Sequence, residues 1–220
     1  LDRGFTDADI HYLREFLPGE IDAGYPLDGP PPAAALQDAI ETWAAQKMQA
    51  SPAPLYVILV DHGSPGIFHM DVTGTGPMES IGAADVDHSL DLLQSALGVS
   101  DQPIFVIDAS CYSGSFIPVL SGPNRIVITS TSADEISYRG VVNTGTGARD
   151  GDFFLNEFFR NAAEGRTIRQ SFELACVKTY EYTATRTGTG GTVPQHPLLD
   201  DNADGVGTTG ELTAIPGTDG

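Results

Sequence analysis

Three short runs of apolar, β-prone residues constrain this chain most: LYVILV at 55–60, PIFVID at 103–108 and RIVITS at 125–130. Each has strand length, and none alternates with polar residues. That pattern predicts strands buried on both faces, as in a parallel sheet covered by helices. The intervening sequence supplies the helices. Apolar spacing through Leu36, Ile40, Trp43, Ala44 and Met48 predicts a helix over 33–49, and Val86, Leu90, Leu93 and Leu97 mark another over 84–97. Two more are predicted over 152–164 and 167–183. The strand–helix alternation reads as a doubly wound α/β domain.

The remaining stretches are shorter signals. Gly4 suits a helix C-cap, Thr6 to Asp9 should turn the chain, and 10–13 reads as a short strand. A Pro/Gly-rich loop follows over 18–32, and 66–79 reads as a hairpin. The Gly/Thr/Pro-rich sequence after Thr185 reads as irregular, which sets a domain of 1–185 apart from a tail of 186–220.

Open α/β sheets gather function just beyond the carboxyl ends of their strands. After the first run come Asp61-His62-Gly63-Ser64. After the second come Ala109-Ser110-Cys111-Tyr112-Ser113-Gly114-Ser115, and after the third Thr131-Ser132-Ala133-Asp134-Glu135. One rim thus brings together a thiol, an imidazole and small polar residues, the minimum for nucleophilic acyl transfer. A cysteine is the strongest side-chain nucleophile near neutral pH once its thiolate is populated. His62 suits proton transfer to a leaving amine or from the thiol. Gly63 offers a backbone N–H to an oxyanion, beside that of Cys111. On the same rim, Asp108, Ser110, Ser132 and Asp134 are candidate substrate contacts; Asp134 and Glu135 suit a basic substrate side chain and equally a plain surface loop.

Charge excludes other classes. Thirty acidic against eleven basic residues leave a net charge of −19. No surplus of Lys and Arg is available to displace phosphate counterions or dock on anionic lipid, so nucleic-acid and membrane-surface partners are not expected. No apolar run approaches the length needed to span a bilayer. Such an acid-rich, lysine-poor surface fits a secreted or cell-surface protein and equally a salt-adapted one. The two cysteines, Cys111 and Cys176, have unlike contexts and read as free thiols, Cys176 in the core. No G-x-S-x-G, Walker A or H-E-x-x-H motif occurs, and the histidines lack zinc-ligand spacing.

Near the C-terminus, Asp200, Asn202, Asp204, a carbonyl at Val206 and Glu211 fit the twelve-residue D-x-[DN]-x-[DN]-G-x5-E calcium loop. The flanks carry Pro and Gly instead of helix formers. Two readings stand: a structural calcium site without EF-hand helices, or a merely acidic tail. Asp85, Asp87 and Asp91 read as the solvated face of a helix.

The segments VILVDHGSPG (57–66) and FVIDASCYSGSF (105–116), about fifty residues apart, resemble the His-Gly and Cys motifs of the legumain-like, caspase-related cysteine peptidases. RIVITSTSADEISY (125–138) resembles that family's next strand and substrate loop, and GDFF (151–154) its Gly-Asp-aromatic segment. The resemblance runs from about residue 4 to 175. It implies a caspase-like α/β/α sandwich with a mostly parallel sheet, and cysteine endopeptidase activity on peptide or protein substrates through a thioester, with no catalytic cofactor. By motif match, His62 and Cys111 form the dyad, Gly63 assists the oxyanion, and Asp152 lines the pocket for the residue before the scissile bond. Legumains carry an acid two positions before the cysteine. Here Ala109 stands there, with Asp108 one place further back. The family's domain also begins with a central strand upstream of the segment seen here, which implies a piece of a longer chain with reduced stability when isolated. The rival reading is an inactive, calcium-stabilised binding or spacer module of a larger surface protein.

Overall fold

A computed structural model describes residues 5–14, 32–70, 79–98, 101–142, 144, 151–188, 191–192 and 194–209. Gly4, most of the 18–32 loop, the middle of the 66–79 hairpin, and Glu211 lie outside them.

The main sheet has the order β1-β5-β6-β9-β10. Strands β1 (Leu55–Leu59), β5 (Ile104–Asp108) and β6 (Arg125–Thr129) are parallel and are the three apolar runs. Residues 186–209, read as irregular, add two strands to this sheet: β9 (Leu198–Asp200) pairs antiparallel with β6, and β10 (Thr208–Thr209) with β9. A second sheet of β2 (Gly63–Ser64), β3 (Ile67–His69) and β4 (Ser80–Gly82) forms an antiparallel meander. Only β3 falls inside the 66–79 hairpin signal; β2 precedes it and β4 follows it. Thr187–Gly188 and Gly191–Thr192, β7 and β8, form a separate two-stranded ladder.

Helices cover both faces. Helix α1 is α-helical over Ala33–Asp38 and Ala45–Ala50, with a π-helical stretch, Ala39–Ala44, between them. With α2 (Ala83–Leu97) and α3 (Ile117–Leu120) it buries Ile40, Met48, Val86, Leu90, Leu93 and Leu120 against Val57, Leu59, Val106 and Val127. Helices α4 (Phe153–Ala163) and α5 (Ile168–Thr183) cover the other face with Phe154, Phe158 and Phe172 on Ile107, Ile128 and Leu199. Cys176 packs there, as its sequence context predicts. The result is the caspase-like α/β/α fold.

Three local readings are corrected. Among the described residues β1 is the edge strand, and Tyr56, Ile58 and Val60 are 38–44% exposed, because α4 and α5 pack over β5, β6 and β9 and stop short of it. Tyr56 stacks on Phe105 at 4.6 Å between ring centroids. Residues 10–13 form no strand beyond a single bridge position at Leu13: Ile10 and Tyr12 are exposed and Leu13 packs on the core. The acids of α2 are not a simple solvated face. Arg125, at the start of β6, is 4% exposed and extends under the helix. Its Nη1 and Nη2 reach Asp87 and Asp91, each at 2.6 Å, and its Nε donates to Gln94 Oε1 at 3.0 Å. Asp85 instead accepts from Gly82 N at the helix start.

Candidate active site

β1 and β5 run parallel in register, with Leu59 opposite Asp108, so the residues following each emerge side by side. The next rung, Ala109 N to Leu59 O at 2.8 Å, carries the pairing to the brink of both loops. Beyond it the chain of β1 turns into the meander and the chain of β5 into a tight turn. The two segments meet closely: a Cβ at Gly63 would lie 2.4 Å from the Cys111 carbonyl and 2.6 Å from Ser110 Oγ. Only glycine permits that approach. The His62-Gly63 and Ser110-Cys111 segments thus share one site.

The meander holds His62 in place. His69 N donates to the His62 carbonyl at 2.9 Å, and the alternation of an antiparallel ladder then turns the Gly63 N–H away from β3. The ring of His69 is clamped between Ser64 Oγ and Ser80 Oγ, each at 2.9 Å. Ser115 Oγ ties the meander to the cysteine turn, accepting from Gly66 N at 2.8 Å and donating to Tyr112 O at 2.6 Å. The His62 side chain itself is exposed and is not hydrogen-bonded to the Cys111 sulfur.

Cys111 sits on a constrained turn. Tyr112 adopts φ 61°, ψ 18°, a left-handed conformation that a bulky residue holds only when its surroundings enforce it. The enforcement is visible. Tyr112 N donates to Glu135 O at 2.7 Å, and Ser113 and Thr131 exchange buried hydrogen bonds across the strand ends at 3.0–3.2 Å. Gly114 lies so near the β6 loop that a Cβ would come within 2.7 Å of Ala133 N. The Cys111 turn and the 131–138 loop are therefore one packed unit.

That loop reaches the thiol. Ser137 N donates to Cys111 Sγ at 3.3 Å, and Ser137 Oγ lies 3.7 Å from the sulfur. Glu135 anchors the loop by accepting from Ser132 N at 3.1 Å and His196 N at 2.8 Å, while its other oxygen meets His196 Nδ1 at 2.5 Å. Buried Gln195 accepts from Tyr138 N at 3.1 Å and donates to Ser130 O at 2.6 Å. Sequence reading missed Ser137, Gln195 and the Ser113–Thr131 pair. Nothing in a serine 26 positions after the cysteine marks it as a partner until the β6 loop is folded.

The other expected site residues divide by burial. Ser132 is half-buried and Asp134 exposed on the rim, joined by Ser132 Oγ to Asp134 Oδ1 at 2.8 Å. Asp108, Ser110 and Asp152 are buried. Asp108 accepts from Ser110 N at 3.0 Å, and Asp152 caps α4 by accepting from Leu155 N at 2.9 Å. Burial pushes the Asp108 carboxyl up to about 7. Burial also lifts that of Asp152 to about 7, with the nearby Asp108 charge adding to the rise.

The calcium-pattern segment is a self-bonded turn. Asp200, 1% exposed, accepts from Ala203 N at 3.0 Å and Gly205 N at 3.1 Å. Asn202 Oδ1 accepts from Asp204 N and Asp204 Oδ1 from Val206 N, each at 2.8 Å. Among the described residues no group of three or more His, Cys, Asp or Glu is arranged to hold a metal ion.

Fold and site together define a class: a caspase-like domain with a cysteine turn and a His-Gly segment packed at adjacent strand ends. The chain belongs to the peptidase C13 family, the legumain family of cysteine peptidases, whose model matches residues 47–198, more than half of the chain. Comparison with curated proteins gives no match. Among the described residues no helix is long and apolar enough to cross a membrane.

Proposed function

We propose that this domain is a cysteine endopeptidase acting through Cys111 and His62. The observation that carries the reading is the close approach of Gly63 to the backbone of Cys111, which supports assigning the His-Gly and cysteine segments to one substrate carbonyl. In this reading the Cys111 thiol loses its proton through solvent to the His62 imidazole. The thiolate attacks the peptide carbonyl carbon, and the oxyanion is met by the N–H groups of Gly63 and Cys111. The imidazolium returns the proton to the leaving amine as the C–N bond breaks, leaving a thioester on Cys111. Water then attacks the thioester carbon, and its proton restores the thiol.

Exposure of His62 suits this division of labour, because a leaving amine departs toward solvent. Half-buried Ser132 and exposed Asp134 are the groups of this loop assigned here to a substrate side chain. Internally quenched peptides of mixed sequence test the proposal. Wild type should cleave within the chain of the peptide, and Cys111→Ala and His62→Ala should each lose at least about a hundredfold in kcat/KM, the scale of a missing nucleophile or acid–base group. Cleavage by Cys111→Ala at the wild-type rate would overturn it.

A further inference from the structure

The sulfur of Cys111 is held from a side that the dyad does not explain. Among the described residues both of its hydrogen-bond contacts are with Ser137, the backbone N–H at 3.3 Å and the hydroxyl, which can donate or accept, at 3.7 Å, and none is with His62. Donors pointed at a sulfur favour its anionic form, because a thiolate accepts hydrogen bonds far better than a thiol.

The backbone that carries both groups is also fixed in advance. Two residues before Ser137, the Glu135 backbone accepts from Tyr112 N at 2.7 Å and its carboxylate is gripped by Ser132 and His196. One residue after it, Tyr138 N is bound to buried Gln195. The residue before the thiol is fixed as well, since Ser110 N donates to Asp108 Oδ1 at 3.0 Å. Fixed dipoles around a developing charge need no reorganisation when that charge appears, and this separates a built anion site from a chance contact.

We propose that Ser137 is a further catalytic residue, whose N–H and hydroxyl stabilise the negative charge on the Cys111 sulfur when the thiolate forms. The inference rests on Cys111 being the nucleophile of the proposed peptidase. It spares His62 a direct contact with the charged sulfur, and the imidazolium that holds the thiol's proton is left to protonate the leaving amine. The N–H belongs to the backbone and persists in any side-chain variant, so the hydroxyl is the part that substitution can remove.

The test follows iodoacetamide alkylation of Cys111 against pH on the full chain, read by mass spectrometry of the Cys111 peptide for wild type, Ser137→Ala and Ser137→Thr. Alkylation reports the thiolate fraction and needs no peptide turnover. Ser137→Ala should move the midpoint of the profile upward and slow alkylation at pH 7 about three- to tenfold, the effect of one hydrogen bond of ordinary net strength. Ser137→Thr retains a hydroxyl and should stay within about twofold of wild type. Superimposable wild-type and Ser137→Ala profiles would overturn the inference. So would a Ser137→Thr profile as shifted as that of Ser137→Ala, which marks packing and not the hydroxyl as the cause. The peptidase reading fails separately: an intact Ser137 effect with no peptide cleavage leaves the thiolate site standing, whereas cleavage with no Ser137 effect removes it alone.

Discussion

At the scale of single residues, the site depends on two glycines that hold backbones together. A methyl group at Gly114 meets Ala133 N and Ser132 C at 2.7 Å, both backbone atoms that cannot rotate away. Gly114→Ala should therefore destabilise the domain by about 1–3 kcal/mol, as overpacking does, and displace the Cys111 turn from the 131–138 loop. Chemical denaturation measures the first effect, and the second appears as loss of Cys111 alkylation at neutral pH. An unchanged midpoint would contradict the packing described. The His62 and Cys111 placements were legible in sequence because they depend only on which residues follow two apolar strands. Ser137 was not, since its contact with the sulfur requires the return of a loop across the strand ends. The burial of Asp108 was equally hidden: an acid at a strand end reads as a rim group until the turn after it closes over the carboxylate.

Elements extend the argument to charge. Arg125 enters under α2 at the start of β6 and meets carboxylates one helical turn apart. The spacing of Asp87, Asp91 and Gln94 announces one face, but the partner that binds this face from below lies more than thirty residues later. Asp91 is 65% exposed, so the network falls short of the roughly 3–5 kcal/mol of a fully buried pair. Arg125→Ala should cost about 2 kcal/mol, read as a lowered denaturation midpoint. Asp108 and Asp152 act in the opposite sense. Their carboxyls sit near 3.8 when ordinary and at about 7 in the fold, so the folded state holds protons that the unfolded chain releases. Their contribution is present in full below about pH 4, falls as pH rises toward 7, and is flat above it. Asp152→Asn keeps the helix cap, since an amide oxygen can still accept from Leu155 N. It should flatten the decline of melting temperature between pH 5 and pH 8, whereas a variant with the wild-type slope would exclude Asp152 as a source.

For the whole molecule, the layered α/β architecture was readable because strand length, apolar content and helical spacing all agree. The edge position of β1 was not, because an apolar run says that a strand can be buried but not which neighbours bury it. Likewise β9 carries only Leu198 and Leu199 as apolar signal, and its place beside β6 is decided by the sheet. With a net charge of −19, the fold works against its own repulsion. Added sodium chloride, by shortening the screening length, should raise the melting temperature near pH 7. A melt independent of salt between about 0.05 and 0.5 M would mean that surface repulsion is not limiting.

The central claim is that Cys111 is a nucleophile in a preformed site shared with the His62-Gly63 segment. A peptidyl electrophile, incubated with the folded chain and mapped by mass spectrometry, tests it most directly. The account predicts labelling at Cys111 and not at buried Cys176, lost in Cys111→Ala and no longer selective for Cys111 once the chain is unfolded. Equal labelling of the two cysteines, or labelling of Cys111→Ala as strong as that of wild type, would contradict it.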